Sequence, residues 1–155
     1  MSPPTNEENT VNIFNIRRAY VKKKSSKWEK IYWFVDFHDT ICKADYGDES
    51  KMHEFYPNAE RVLQHLSKKE DVALILWTCS HSDDIQRLVE WLRMRGITFQ
   101  HVNDNPEVVD SRMSCYGKKP YMNVVLDDKA GFCGEDGDWF LVEAELKAVG
   151  EWDEV

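Results

Sequence analysis

Residues 31–40 read Ile31-Tyr-Trp-Phe-Val-Asp36-Phe-His-Asp-Thr40, an apolar run that ends in acidic, imidazole and hydroxyl groups. A short run of this composition is typical of a strand that is buried on both faces of a parallel sheet. Ligands of open parallel sheets gather at the carboxyl ends of the strands, so Asp36 is expected to face a binding site. This segment therefore predicts a central strand and the place of its chemistry.

Two further apolar segments end in polar residues in the same way. Residues 72–77 are followed by Thr78, and residues 123–126 are followed by the acidic pair Asp127-Asp128. Because parallel strands end at one edge of a sheet, three strands are expected to deliver polar groups to the same edge.

Helical spacing of apolar residues separates these strands. It is present in residues 58–69 and again in residues 82–95, while a further strand is expected near residues 98–102. Residues 139–149 fit either a last strand or a helix. The alternation predicts an α/β fold, with a three-layer, doubly wound and mostly parallel sheet.

Length and composition predict one domain. The chain has 155 residues, of which 42% are hydrophobic, enough for a single core. We expect a polar and basic arm over residues 1–28 and one domain over residues 29–155. The basic stretch 17–24 fits either a solvated arm or a patch for an anionic partner.

Charge and cysteine content exclude several classes of protein. A net charge of −8 disfavours nucleic acid as a partner, since backbone binding needs a surplus of Lys and Arg. The four cysteines form no C-x-x-C pair, so reduced thiols are expected. No apolar run is long enough to span a membrane, and residues 1–10 lack the features of a secretory signal. We expect a soluble, cytoplasmic protein.

The order of the polar strand ends resembles the motifs of the haloacid dehalogenase-like phosphatase superfamily over roughly residues 31–140. Those motifs are an Asp-x-Asp-x-Thr, a Thr or Ser, a Lys and an acidic pair, and they correspond here to Asp36, Thr78, Lys118 or Lys119, and Asp127-Asp128. The small microbial hydrolase-like members, which lack a cap domain, are more similar still. They share segments that here read Leu76-Trp77-Thr78 and Lys119-Pro120-Tyr121.

The resemblance implies a phosphatase that works through a phosphoaspartate. Asp36 is then the nucleophile, which divides hydrolysis into two displacements. Thr78 and Lys119 are expected to contact the phosphoryl group, with Cys79 beside them in the substrate-binding set. Lys119 is preferred to Lys118 because its spacing to the acidic pair resembles that of the family.

A magnesium ion is the cofactor that the resemblance implies. Carboxylates suit this hard cation, which relieves the repulsion between an anionic nucleophile and a phosphoryl group. The expected ligands are Asp36, Asp127, Asp128 and, through its backbone carbonyl, His38.

One departure from the family pattern affects acid–base catalysis. The superfamily has a second Asp two residues after the nucleophile, followed by Gly, and these positions are His38 and Asp39 here. Imidazole titrates near neutral pH, so His38 is a candidate for proton transfer. Asp39 is the alternative, and a third possibility is that neither residue acts. In that last case the protein binds a phosphorylated ligand or partner without turnover.

The spacing of the motifs leaves no room for an inserted cap domain, so an open site is expected. Open sites in the superfamily suit bulky substrates such as phosphorylated macromolecules, or small ones where a partner subunit supplies the lid. Residues 43–55 fit either a flap over the site or an ordinary surface loop. The oligomeric state does not follow from the sequence.

Overall fold

The computed structural model describes residues 12–44 and 53–153, and over these residues the chain folds around a parallel sheet with the strand order β3-β2-β1-β4. The strands are β1 (Ile31–Asp36), β2 (Val72–Trp77), β3 (His101–Val102) and β4 (Val124–Leu126). The helices are α1 (Ile16–Ser26), α2 (Ala59–Ser67), α3 (Ser82–Met94) and α4 (Asp138–Ala148). The predicted α/β class is therefore confirmed.

Alternate residues of β1 contact different layers. Ile31, Trp33 and Val35 are fully buried and belong to one continuous core together with apolar residues of all four helices. Tyr32 lies on the opposite face, because successive strand residues point to opposite sides. There Tyr121, from the connection between β3 and β4, packs edge-on against it with ring centroids 6.0 Å apart. The sheet thus separates a helical layer from a layer that this connection forms.

Strand order places the candidate site at a topological switch point. The chain passes from β1 through α2 to β2 on one side, and returns after β3 to β4 on the other side of β1. Asp36 pairs with Trp77 of β2, while Val35 pairs with Leu126 of β4. The carboxyl ends of β1 and β4 therefore border the crevice in which open α/β sheets bind ligands.

The N-terminal segment corrects the expected domain boundary at residue 28. Residues 16–26 form α1, in which Ile16, Ala19 and Tyr20 are buried in the common core. Arg17 Nε lies 2.6 Å from the buried Glu145 carboxylate of α4. Only these three apolar residues of α1 are buried, and lysines and arginines surround them in the sequence. The composition therefore indicated an arm, whereas the segment is a helix of the domain. Residues 1–11 lie outside the described residues.

The ambiguous C-terminal segment is a helix. Trp139, Val142 and Leu146 of α4 are fully buried at helical spacing, whereas Phe140 and Leu141 are exposed. Four consecutive apolar residues hid that spacing in the sequence. No helix in the described part of the chain is both long and apolar enough to cross a membrane.

The connection from β1 to α2 is described only at its two ends. Lys43 N–H donates to the Glu54 carbonyl at 3.3 Å, and Tyr56 N–H donates to the Ile41 carbonyl at 2.9 Å. The two ends are thus held together as an antiparallel pair. The centre of the proposed flap, residues 45–52, lies outside the described residues.

Candidate functional site

Three carboxylates meet at the carboxyl edge of the sheet. Asp36 ends β1, Asp127 follows β4, and Asp128 begins a short 3-10 helix. One carboxylate oxygen from each residue lies within 4.8 Å of the others, and all three residues are partly buried. Three of the four predicted metal ligands are thus brought together from positions about ninety residues apart in the chain. The fourth predicted ligand is a backbone carbonyl, that of His38, and its part in the site stays a prediction.

The electrostatics of the cluster disfavour three ionised carboxylates. The pKa of Asp36 is raised to about 7, chiefly by burial. A hydrogen bond that Asp36 can share with Asp128 and the negative charges of Asp127 and Asp128 raise it further. Burial also raises the pKa of Asp127, although the Lys129 N–H that donates to its carboxylate opposes this. Because the cluster concentrates negative charge without neutralising it, a cation is its natural complement.

The buried Thr40 hydroxyl links two residues of the cluster, Asp36 and Asp128. Its hydroxyl donates to Asp36 Oδ2 at 3.0 Å and accepts from the Asp128 N–H at 3.0 Å. Its carbonyl accepts from Trp139 Nε1 at 2.8 Å, and the residue is fully buried. In the sequence, this threonine ends the apolar run and the motif that begins at Asp36, and no function was predicted for it. Its spacing of four residues from Asp36 was the signal available.

We expect Thr40→Val to lower the free energy of unfolding by about 1 to 3 kcal/mol, because the shape is kept while the buried Asp128 N–H loses its acceptor. Urea unfolding in the presence of a metal chelator measures this loss. Thr40→Ser is the matched control, since it keeps the hydroxyl. A valine variant as stable as the serine variant would contradict the bridging role.

A close backbone approach holds the loop after the acidic pair against Thr40. A Cβ at Gly134 would lie 2.9 Å from the Thr40 carbonyl oxygen and 2.6 Å from Tyr56 Cδ2, so the packing there requires glycine. The glycine-rich composition of residues 131–137 was visible in the sequence. The sequence did not indicate which of these glycines packs against Thr40.

Hydroxyl groups occupy the end of β2, the strand that pairs with β1. Thr78 follows Trp77, the register partner of Asp36, and its Oγ1 lies 3.0 Å from Ser80 Oγ. The Ser80 N–H also approaches Thr78 Oγ1 at 3.3 Å. Cys79, between them, is an exposed free thiol. Thr78 therefore lies at the end of β2 as predicted, its contact with a phosphoryl group stays a prediction, and Ser80 was not foreseen.

The two candidates for proton transfer have different surroundings. His38 is partly buried, forms an isolated β-bridge with Cys42, and places its ring 5.1 Å from that of Phe37. Asp39 has a φ of +61°, and its carboxylate accepts from the Ala44 N–H at 3.0 Å. A positive φ is the conformation that glycine adopts without strain and that aspartate tolerates. The Asp39 carboxylate therefore stabilises the turn that leads to Ala44.

Among the described residues, the predicted lysine forms no ion pair with the carboxylates. Lys118 and Lys119 are exposed in the connection between β3 and β4, and neither forms an ion pair within the described part of the chain. The cation beside the cluster is Lys129, whose Nζ lies 3.8 Å from Asp128 Oδ2 and whose side chain is 90% exposed. Solvent screens so exposed a pair, so it neutralises little of the cluster's charge.

A solved structure of a conserved protein coded by a locus from Bacteroides thetaiotaomicron is similar to this chain. The two chains are 25% identical and superpose with a TM-score of 0.59, over 77% of this chain and 91% of the other. The likeness supports the α/β fold described above. The chain matches no family model, and no curated protein matches it.

Proposed function

We propose that this protein is a Mg²⁺-dependent phosphatase that hydrolyses a phosphomonoester through a phosphoaspartate on Asp36. The observation that carries the proposal is the convergence of Asp36, Asp127 and Asp128 at a topological switch point. The Thr78 and Ser80 hydroxyls at the neighbouring strand end add donors for phosphoryl oxygens. From the sequence, we propose a phosphorylated substrate, which an open site allows to be bulky. The proposed location of the protein is the cytoplasm.

The donor set of the cluster fits magnesium. Mg²⁺ prefers oxygen ligands and is commonly bound through one or two carboxylates together with water and substrate phosphate. Asp36, Asp127 and Asp128 are the residues that would hold it. When bound, the ion supplies positive charge that offsets the repulsion between these carboxylates and a phosphoryl group.

The chain's own residues account for the two displacements. An Asp36 carboxylate oxygen forms a bond to phosphorus while the bond from phosphorus to the leaving oxygen breaks, and that oxygen takes up a proton. Water then attacks the phosphorus, loses a proton, and frees the Asp36 carboxylate and inorganic phosphate. Thr40 orients the nucleophile through its hydrogen bond to Asp36 Oδ2. Thr78 is proposed to donate to a phosphoryl oxygen.

We assign the proton transfer to His38. Imidazole both gives and takes a proton near neutral pH, as the two displacements require. The alternative, Asp39, has its carboxylate engaged by the Ala44 N–H at 3.0 Å. Its function in the turn leaves His38 as the better candidate.

A second candidate function is binding of a phosphorylated ligand or partner without turnover. The exposed position of Lys119 favours it, because among the described residues no ion pair with the carboxylates fixes the positive charge that the resemblance implies for this lysine. The histidine in place of the second aspartate favours it as well.

Hydrolysis of a generic aryl phosphate separates the two functions. For the phosphatase, we expect turnover that chelation of Mg²⁺ lowers by at least about a hundredfold, because a catalytic metal contributes several kcal/mol to the transition state. For the binder, we expect turnover only in the His38→Asp variant. Activity that is indifferent to Mg²⁺ would count against the proposed site.

A further inference from the structure

Asn103 makes an unusual pair of contacts with Thr78. Its Nδ2 donates to the Thr78 carbonyl at 2.7 Å, and its Oδ1 accepts from the Thr78 N–H at 2.8 Å. Its own N–H donates to the Leu76 carbonyl at 2.8 Å. A single side chain therefore satisfies both backbone polar groups of the residue that the proposed function places against the phosphoryl group.

These contacts extend the sheet beyond its last backbone pair. The ladder between β2 and β3 ends where Leu76 pairs with Val102. Asn103 has a φ of +55°, at which the backbone cannot continue a strand, and its side-chain amide takes the place of the next backbone partner. Asparagine suits this position because it tolerates the left-handed conformation and carries one donor group and one acceptor.

We propose that Asn103 is a positioning residue that holds the Thr78–Ser80 hydroxyl pair in place to bind phosphate. The proposal rests on the function proposed above. Asn103 fixes the Thr78 backbone from the side of β3, and the Ser80 hydroxyl lies 3.0 Å from that of Thr78. With the backbone of Thr78 held on both its polar groups, the hydroxyl pair keeps its position before phosphate arrives, so that binding costs little ordering.

Gln100 offers a matched control on the same pair of strands. Its Oε1 accepts from the Leu74 N–H at 2.7 Å, which is the same kind of contact between a side-chain amide and the β2 backbone. Leu74 lies four residues before Thr78, about 13 Å away along an extended strand. Loss of the Gln100 contact removes a hydrogen bond across this edge without reaching the site.

The test is binding of inorganic phosphate by calorimetry in the presence of saturating Mg²⁺. In Asn103→Gly, which accepts the positive φ, and in Asn103→Asp, which keeps the shape but loses the donor, we expect the phosphate Kd to rise about tenfold. The Kd for Mg²⁺ alone should stay within about twofold, since Asn103 does not touch the carboxylates. Gln100→Ala should leave both constants unchanged. Thermal unfolding of each variant in Mg²⁺ shows that it is folded.

The outcomes separate this inference from the proposed function. Unchanged phosphate affinity in both Asn103 variants overturns the positioning role and leaves the phosphatase intact. An equal loss in Gln100→Ala also overturns it, because the effect would then come from the strand edge as a whole. Two results together support the phosphatase function and the positioning role of Asn103. The natural protein binds Mg²⁺ and hydrolyses aryl phosphates, and only the Asn103 variants are impaired in phosphate binding. Failure of the natural protein to bind phosphate at all overturns both.

Discussion

Asp36→Asn is expected to lower kcat for aryl-phosphate hydrolysis by at least about a thousandfold at saturating Mg²⁺, because an amide does not attack phosphorus to form an acyl phosphate. The substitution keeps the size of the side chain and its hydrogen bond from Thr40, which donates at 3.0 Å in the natural protein. Steady-state kinetics, together with a single-turnover search for a phosphorylated protein, measure the loss.

Asp39→Asn is the matched control for this substitution. Asp39 lies three residues further along the same segment, and asparagine also tolerates its φ of +61°. We expect its effect on kcat to stay below about tenfold, since the group serves the turn rather than the reaction. A large loss in Asp39→Asn would instead favour the alternative in which Asp39 transfers the proton. Activity retained in Asp36→Asn would exclude Asp36 as the nucleophile.

Magnesium is expected to stabilise the fold, and to do so more at pH 8 than at pH 5. In the metal-free protein the pKa of Asp36 is raised from its usual 3.8 to about 7 by burial and by the neighbouring Asp128 and Asp127. The folded state therefore holds a proton that the unfolded state releases between these two pH values. The contribution of this group to stability is fully present below pH 3.8 and is lost as the pH rises through 7.

Protons and Mg²⁺ compete for the same carboxylates. The ion therefore stabilises the protein most at a pH at which Asp36 would otherwise be ionised and repelled by Asp127 and Asp128. At a hundredfold excess over its Kd, Mg²⁺ should add about 2.7 kcal/mol. For a chain of this size, that corresponds to a rise in Tm on the order of 5 to 10 °C at pH 8.

Thermal unfolding of the natural protein and of Asp36→Asn, each with Mg²⁺ and with chelator, measures this linkage. The variant should be more stable than the natural protein at pH 8 without metal, because it removes one of three converging negative charges. It should also lose most of the response to Mg²⁺. An equal response of both proteins to Mg²⁺ would place the binding of the ion elsewhere.

Local patterns predicted most of the elements that support the site. The apolar runs that became β1, β2 and β4, and the helical spacing of α2 and α3, are confirmed within a few residues at each end. The predicted strand over residues 98–102 is shorter, because only His101–Val102 pairs with β2. These elements bury whole faces, and burial on such a scale leaves a clear period in the sequence.

Elements with a narrow or crowded apolar face were harder to predict. Ile16, Ala19 and Tyr20 bury one side of α1, yet the lysines and arginines around them indicated an arm. In α4, the exposed Phe140 and Leu141 lie beside the buried Trp139 and obscured the helical period. In both cases packing against the rest of the domain determines the structure more than local composition does.

The candidate site divides in the same way. Asp36, Asp127 and Asp128 were predicted together because each follows an apolar strand, and strands of one sheet end at one edge. Lys119 was predicted from the order of the motifs and its spacing to the acidic pair, and it lies in a connection without helix or strand, where spacing along the chain does not determine position in space. Thr40 and Asn103 also act through hydrogen bonds to residues 88 and 25 positions away, and these bonds leave no local pattern.

The order of apolar strands and polar strand ends was sufficient, by itself, to determine an α/β sheet and the edge at which three aspartates meet. Local periodicity carries that information because burial repeats along each element. Only the tertiary structure decided how the aspartates and hydroxyls are held, through Thr40 beneath the carboxylates and Asn103 behind Thr78. All but the Thr40–Asp36 contact join residues 25 to 88 positions apart at distances of about 3 Å, which close packing sets and sequence spacing does not.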